Sequence, residues 1–268
     1  MKTVFLHLLL LFLGTSFSSC DMAKPEPVSK EEALKLSAEI AAAIKDRAEY
    51  NIDQMINSEV IADKASKGMQ SSFKKGFREG IDEALKKNNL AKQIVKAVGK
   101  DGSYEMVKHY EKEGVQHLVF RMYSSEGLNY HDFELVKMKG KTWIADIFIY
   151  TTGENFSKSM GDVISGYLGN VTDYDDAKIK QLQKFREIRA LVDRKDHKAA
   201  NRLYQSMPSE LKTTRMLQVV YLEIAHELGD SIYKKAVQEF EEQYKGDSTM
   251  YLSLMDPYLL NKDYERAM

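Results

Sequence analysis

The chain has 268 residues, and its 43% hydrophobic and 29% charged content is typical of a folded globular protein with room for two domains. Its 39 basic and 40 acidic residues give a formal net charge of −1, which excludes the broad positive field that nucleic-acid binding needs. Its single cysteine excludes an intramolecular disulfide.

The N-terminus has the pattern of an export signal. Lys2 precedes an apolar run over residues 4–14, which is shorter than the roughly 20 residues of a membrane-spanning helix and typical of a signal peptide. Small residues then lead to Cys20, and this segment resembles a bacterial lipobox. The alternative is an ordinary secretory signal in which the cysteine has no role.

The lipobox resemblance implies that a signal peptide over residues 1–19 is removed and that Cys20 is lipidated. The polar, proline-bearing residues 20–28 then form a tether between lipid and fold. We therefore expect a lipoprotein of the bacterial cell envelope, held at a membrane through Cys20. Whether that membrane is the inner or the outer one, and whether the protein faces the periplasm or the surface, stays open.

Three helices are predicted before residue 100. Ser29 and Glu32 have the spacing of a capping box, and apolar residues recur at helical spacing after them. A second helix is expected over residues 52–66. A third is expected over residues 73–98, with residues 88–89 as the candidate break.

Four runs with period-two alternation then predict strands over residues 104–111, 115–124, 128–138 and 142–151. The short breaks between them force antiparallel hairpins. The fold class predicted for residues 29–156 is therefore α+β, with helices packed on one face of a four-stranded antiparallel meander. In its element order this region resembles the cone-shaped domains of the nuclear transport factor 2-like group.

Residues 157–176 are predicted to form a linker with a helix, and the pattern over residues 177–268 is helical throughout. The positions of Ala200, Tyr204 and Pro208 resemble the second helix of a tetratricopeptide repeat. This resemblance implies an all-α helical-repeat region.

Two further alanines, Ala236 and Ala267, fit the same repeat position. They follow Ala200 at intervals of 36 and 31 residues, on either side of the usual period of about 34. Because Met268 then falls inside a third repeat, we expect the region to be truncated there and further repeats to follow.

Motifs for a metal site, a phosphate loop or a catalytic nucleophile do not occur in the sequence, so we expect neither a cofactor nor enzymatic activity. His109, His117 and His131 lie on neighbouring predicted strands. With Asp132 and Asp146 nearby, a curved sheet would bring such residues together as a base and its orienter. Alternation argues against this, because it places His117 opposite the apolar face of its strand, whereas His131 shares a face with Phe133.

Two functions remain. The first is a non-enzymatic protein that binds other envelope proteins through the concave surface of its repeats, anchored by tyrosines because Tyr is enriched in binding hot spots. The candidate anchors are Tyr204, Tyr221, Tyr233 and Tyr251. The alternative is a cone-shaped α+β domain that binds, or acts on, a small hydrophobic ligand. Its candidate wall residues are Met122, Tyr130, Trp143 and Phe148.

Overall fold

A computed structural model describes residues 25–69, 74–80, 90–124, 127–168, 176–260 and 262–267. The predicted signal peptide, Cys20 and the candidate break at residues 88–89 lie outside these residues. Residues 74–80 are helical. The other helices before the sheet are α1 (Lys30–Lys45), α2 (Glu49–Asp53), α3 (Ser58–Ala65) and α4 (Leu90–Val98).

Helix α1 begins where the sequence predicts it. The Glu32 N–H donates to Ser29 Oγ at 3.2 Å, and the Ser29 N–H donates to Glu32 Oε2 at 2.9 Å, so both halves of the capping box form. The predicted second helix is instead two helices, α2 and α3, because the chain between them pairs with the sheet. There the Ile144 N–H donates to Met55 O at 2.8 Å, and the Asn57 N–H donates to Ile144 O at 2.9 Å.

The sheet has five antiparallel strands in chain order, so the prediction of four strands was wrong. The added strand is only two residues long and pairs with the end of the fourth. Such a short segment shows no alternation that could be recognised in a sequence. The strands are β1 (Ser103–Lys112), β2 (Val115–Ser124), β3 (Gly127–Met138), β4 (Lys141–Ile149) and β5 (Glu154–Asn155).

The layout around the sheet also corrects the prediction, because helices lie on both faces rather than on one. On the first, which we call the inner face, α1, α2 and α4 bury an apolar core. On the second, the outer face, Lys64 of α3 pairs with Glu134 of β3. Helix α5 (Phe156–Leu168) also reaches the outer face, where the Ser157 N–H donates to Asp146 Oδ1 at 3.1 Å. Each of these contacts on the outer face is made by individual polar side chains. Such contacts produce no apolar stripe in the sequence, so the sequence does not predict them.

Two β-bulges decide which side chains share a face. The extra residue is Val107 in β1 and Ala145 in β4. A bulge inverts the alternation that follows it. Ile144 and Ile147 therefore both lie in the core of the inner face, although their odd spacing predicts opposite faces.

Part of the predicted tether belongs to the fold. The Glu26 N–H donates to Lys137 O of β3 at 2.9 Å, and Val28 is buried in the core of the inner face. Residues 20–24 lie outside the described part of the chain.

The helices after α5 form three hairpins: α6 with α7, α9 with α10, and α11 with α12. Within the described residues no helix is both long and apolar enough to cross a membrane. The helices are α6 (Asp176–Asp193), α7 (His197–Gln205), α8 (Ser209–Lys212), α9 (Arg215–Leu228), α10 (Asp230–Gln243), α11 (Tyr251–Leu260) and α12 (Tyr264–Ala267), and a 3₁₀ turn (Ser248–Met250) precedes α11.

Each hairpin turns at a residue with positive φ. These residues are Lys195 (61°), Gly229 (120°) and Lys262 (59°), which lie 34 and 33 residues apart. Helix α7 of the first hairpin contacts α9 of the second, and α10 of the second contacts α11 of the third. The three hairpins therefore stack in chain order at a nearly constant period.

Candidate functional site

The outer face of the sheet carries six neighbouring side chains, which we call the Asp132 cluster. Asp132 of β3 lies directly between Val119 of β2 and Phe148 of β4. It is 7% exposed, and the aromatic side chains around it are half-buried. The cluster consists of Tyr110, His117, Tyr130, Asp132, Phe148 and Tyr150.

The carboxylate of Asp132 has two partners within this cluster. His117 Nδ1 lies 3.1 Å from Asp132 Oδ1, and the Tyr110 hydroxyl donates to Asp132 Oδ2. The Tyr110 ring stacks on the His117 imidazole with centroids 4.7 Å apart and planes 14° apart. Tyr110 and His117 therefore form one aromatic wall beside the carboxylate.

A second aromatic wall lies on the other side of Asp132. The Tyr150 ring meets the Tyr130 ring at 62°, with centroids 5.7 Å apart. It meets the Phe148 ring at 82°, with centroids 5.1 Å apart. Such edge-to-face contacts are a favoured geometry of aromatic pairs. We call the three rings of Tyr130, Phe148 and Tyr150, which meet at these angles, the corner.

Two phenols of the cluster, those of Tyr110 and Tyr150, have raised pKa values. Burial, followed by the hydrogen bond to Asp132, raises the pKa of Tyr110 well above its ordinary value. Burial and the nearby charge of Asp132 also raise the pKa of Tyr150. Tyr110 therefore remains a hydrogen-bond donor to Asp132 at any physiological pH.

The three histidines do not meet, as alternation predicts. His131 lies on the inner face with Phe133, and His109 Nε2 contacts Gln116 Oε1 at 2.6 Å. The sequence does not predict the pairing of His117 with Asp132 and Tyr110. The bulge at Val107 turns Tyr110 to the outer face, and nothing in the sequence signals that bulge.

Of the four wall residues of the alternative function, the structure brings together only two, Tyr130 and Phe148. Met122 belongs to the core of the inner face, where buried apolar side chains fill the space under the helices. Tyr130 and Phe148 lie on the outer face within the Asp132 cluster. Trp143 is farther along β4, opposite Val136, with Lys141 Nζ 3.6 Å from its ring centroid.

No family model matches the chain, and no curated protein or solved structure is significantly similar to it. Across the described residues, no three His, Cys, Asp or Glu side chains are grouped as metal ligands would be.

An open cleft of about 380 Å³ lies where α5 meets the hairpins. Several of its polar groups already have partners within the protein. Lys158 Nζ lies 3.3 Å from Glu154 Oε2 and also pairs with Asp162, and the Gln243 side chain donates to Thr213 O at 3.3 Å. The cleft is lined by Glu154, Lys158, Asp162, Glu210, Thr213, Thr214, Arg215, Gln243 and Tyr244.

The four candidate anchor tyrosines have different surroundings. Tyr204 is 6% exposed and stacks on Tyr221, with ring centroids 4.2 Å apart. Tyr233 packs edge-on against His226 at 5.2 Å. Tyr251, at the start of α11, is 58% exposed. The structure thus places Tyr204 and Tyr221 together in the packing between the first two hairpins and leaves Tyr251 the most accessible.

Proposed function

We propose that this chain is a non-enzymatic binding protein of the bacterial cell envelope. In this proposal lipid on Cys20 holds it at a membrane, and its tetratricopeptide-like hairpins bind another envelope protein. The observation that carries the proposal is the regular stacking of the hairpins, whose turn residues Lys195, Gly229 and Lys262 recur at 34 and 33 residues. Stacked helical hairpins of about this period form extended surfaces that suit protein ligands.

Small residues support the hairpin packing that this function requires. Ala200 and Ala225 are fully buried, and Ala236 is 4% exposed. A small side chain at such positions lets neighbouring helices approach closely. Tyr251 is the best candidate anchor because an exposed tyrosine combines a large apolar ring with a polar hydroxyl.

The test is site-specific photocrosslinking in intact cells of the source bacterium. A photoreactive phenylalanine analogue replaces Tyr251 in the full-length protein, and crosslinked proteins are identified by mass spectrometry. We expect Tyr251 to crosslink one defined envelope protein. In a Cys20→Ser background we expect the chain to leave the membrane fraction and the crosslink to fall at least about tenfold, because the local concentration supplied by tethering is lost.

The matched control carries the same analogue at Tyr50 of α2, which is as well exposed but lies outside the hairpins. Equal crosslinking of the same protein from both positions would refute binding through the hairpins. Retention of Cys20→Ser in the membrane fraction would refute the lipid anchor.

A further inference from the structure

We infer that the Asp132 cluster is a binding site for a small organic cation, of the quaternary ammonium or alkylammonium class. This site lies on the sheet and is independent of the hairpins. Two features of the cluster carry the inference: an excess of negative charge, and aromatic rings on both sides of the central carboxylate.

The negative charge exceeds the positive charge on this part of the outer face. Asp132, Glu134 and Asp146 contribute three carboxylates, whereas the described lysines beside them are two: Lys64, which Glu134 and Asp146 share, and Lys108, whose Nζ lies 5.0 Å from the Tyr110 ring centroid. Among the described residues, no lysine or arginine forms an ion pair with Asp132, whose partners are His117 and the Tyr110 hydroxyl. A cation placed beside Asp132 would therefore complete its charge balance.

The aromatic rings are the second feature that would bind the cation. The stacked pair Tyr110–His117 and the corner formed by Tyr130, Phe148 and Tyr150 flank the carboxylate. The face of an aromatic ring attracts a cation within about 6 Å, and several such rings around one point are the common way to bind a quaternary ammonium. Tyr110 itself already has both faces covered, because Lys108 Nζ lies 5.0 Å from its centroid and His117 stacks on it. The ligand cation would therefore contact the rings of Tyr130, Phe148 and Tyr150.

The test compares two probes of the same shape and different charge. Choline carries a trimethylammonium group, and 3,3-dimethyl-1-butanol carries a tert-butyl group in its place. Each is titrated into the lipid-free mature chain at about pH 8, where an ordinary histidine is neutral, and tyrosine ring signals are followed by NMR. We expect saturable choline binding, and binding of the neutral alcohol at least about tenfold weaker, because it lacks the cation–π and carboxylate attraction.

Two variants place the binding in the cluster. Asp132→Asn and Tyr150→Leu should each weaken choline binding at least about fivefold, by removing the charge and one ring of the corner. Tyr150 lies just beyond β4 and is only half-buried, so its variant keeps the test valid if Asp132→Asn fails to fold. The control is Tyr123→Leu, a 60% exposed tyrosine at the far end of β2, opposite Leu128, which should bind choline as the unmodified chain does.

Three results would overturn the inference. The first is no saturation by choline up to about 50 mM, a concentration far above the range of a useful site. The second is equal binding of the neutral alcohol, which would show simple apolar contact, and the third is unchanged choline binding by a folded Tyr150→Leu variant. Thermal unfolding of each variant confirms that it is folded before its affinity is compared.

Discussion

His131 is a titratable side chain enclosed in the apolar core of the inner face. The side-chain oxygen Oδ1 of Asn129 accepts the N–H groups of Tyr130 and Thr151 at 2.8 and 3.2 Å. Asn129 Nδ2 must therefore face His131 Nε2, 3.2 Å away. Nε2 is then an acceptor, and Nδ1 carries the proton and donates it to the Tyr104 oxygen at 2.9 Å. A second proton on Nε2 would face the Asn129 amide, so the imidazole is held neutral.

This enclosure predicts a pH-dependent stability. Burial lowers the pKa of His131 from 6.5 to about 4. Between these values the unfolded chain binds the proton and the folded chain does not, so the free energy of unfolding should fall as the pH falls from about 6.5 to about 4. The loss should reach roughly 3 kcal/mol, and it is measured by urea unfolding at several pH values.

Replacing His131 by Gln removes the titrating group. In His131→Gln the decline of stability across this pH window should shrink by most of that amount, although the variant is less stable at neutral pH. The control is His226→Gln, at a histidine whose side chain is about half-exposed, and it should keep the full decline. An unchanged slope in His131→Gln would show that other groups cause the acid sensitivity.

Asp146 organises the start of helix α5. It is 1% exposed, and its Oδ1 accepts the Ser157 N–H at 3.1 Å while its Oδ2 accepts the Ser157 hydroxyl. Lys64 of α3 approaches the same carboxylate at 3.6 Å. One side chain of β4 thus satisfies an orphan amide of α5 and shares with Glu134 the pairing of Lys64 of α3.

Removing this carboxylate should be costly. Asp146→Ala leaves the Ser157 N–H without its acceptor and Lys64 with one carboxylate fewer, so the free energy of unfolding should drop by about 3 kcal/mol. Asp146→Asn keeps an acceptor and should lose less. Urea unfolding measures both. Asp162→Ala, at a 45% exposed aspartate of α5, should cost no more than about 1 kcal/mol, and an equal loss from the two alanine variants would contradict the role given to Asp146.

At the scale of the whole molecule, Arg215 joins the hairpins to the sheet. Its Nη1 donates to Gly153 O, in the turn between β4 and β5, and to Thr249 Oγ1, each at 2.8 Å. Its Nη2 pairs with Asp247. The approach is so close that a Cβ on Gly153 would lie 2.5 Å from Thr249 O, so only glycine fits there. The contact holds the sheet and the second and third hairpins together.

Arg215→Ala should therefore loosen this junction without unfolding the sheet. We expect amide hydrogen exchange in residues 151–153 and 247–250 to become about tenfold faster, since roughly 1–2 kcal/mol of local hydrogen bonding is lost. Peptides from β2 and β3 should exchange as before. The control, Arg189→Ala, breaks an exposed ion pair with Glu223 inside the hairpins and should leave the junction peptides unchanged. Uniformly faster exchange in Arg215→Ala would mean global destabilisation instead.

Much of the architecture was predictable from local patterns. The capping box at Ser29, the four long strands and their antiparallel order, and the helical character after the sheet follow from periodicity and short breaks, which report interactions between residues close in sequence. The helix break before Asn57 and strand β5 were not predictable. Both depend on backbone hydrogen bonds to β4. The type of a residue does not show which partner its backbone N–H or C=O group will have.

By itself the sequence determined the four long strands, the start of α1, the helical character after the sheet and the export-signal pattern ending at Cys20. Only the tertiary structure decided that Tyr110 meets His117 at Asp132, and that Asp146 meets α3 and α5. A single inserted residue at a bulge inverts the alternation after it. Which side chains share a face of the sheet is therefore known only once the strand register is known. Register is set by many weak contacts between distant residues, and no local pattern contains it.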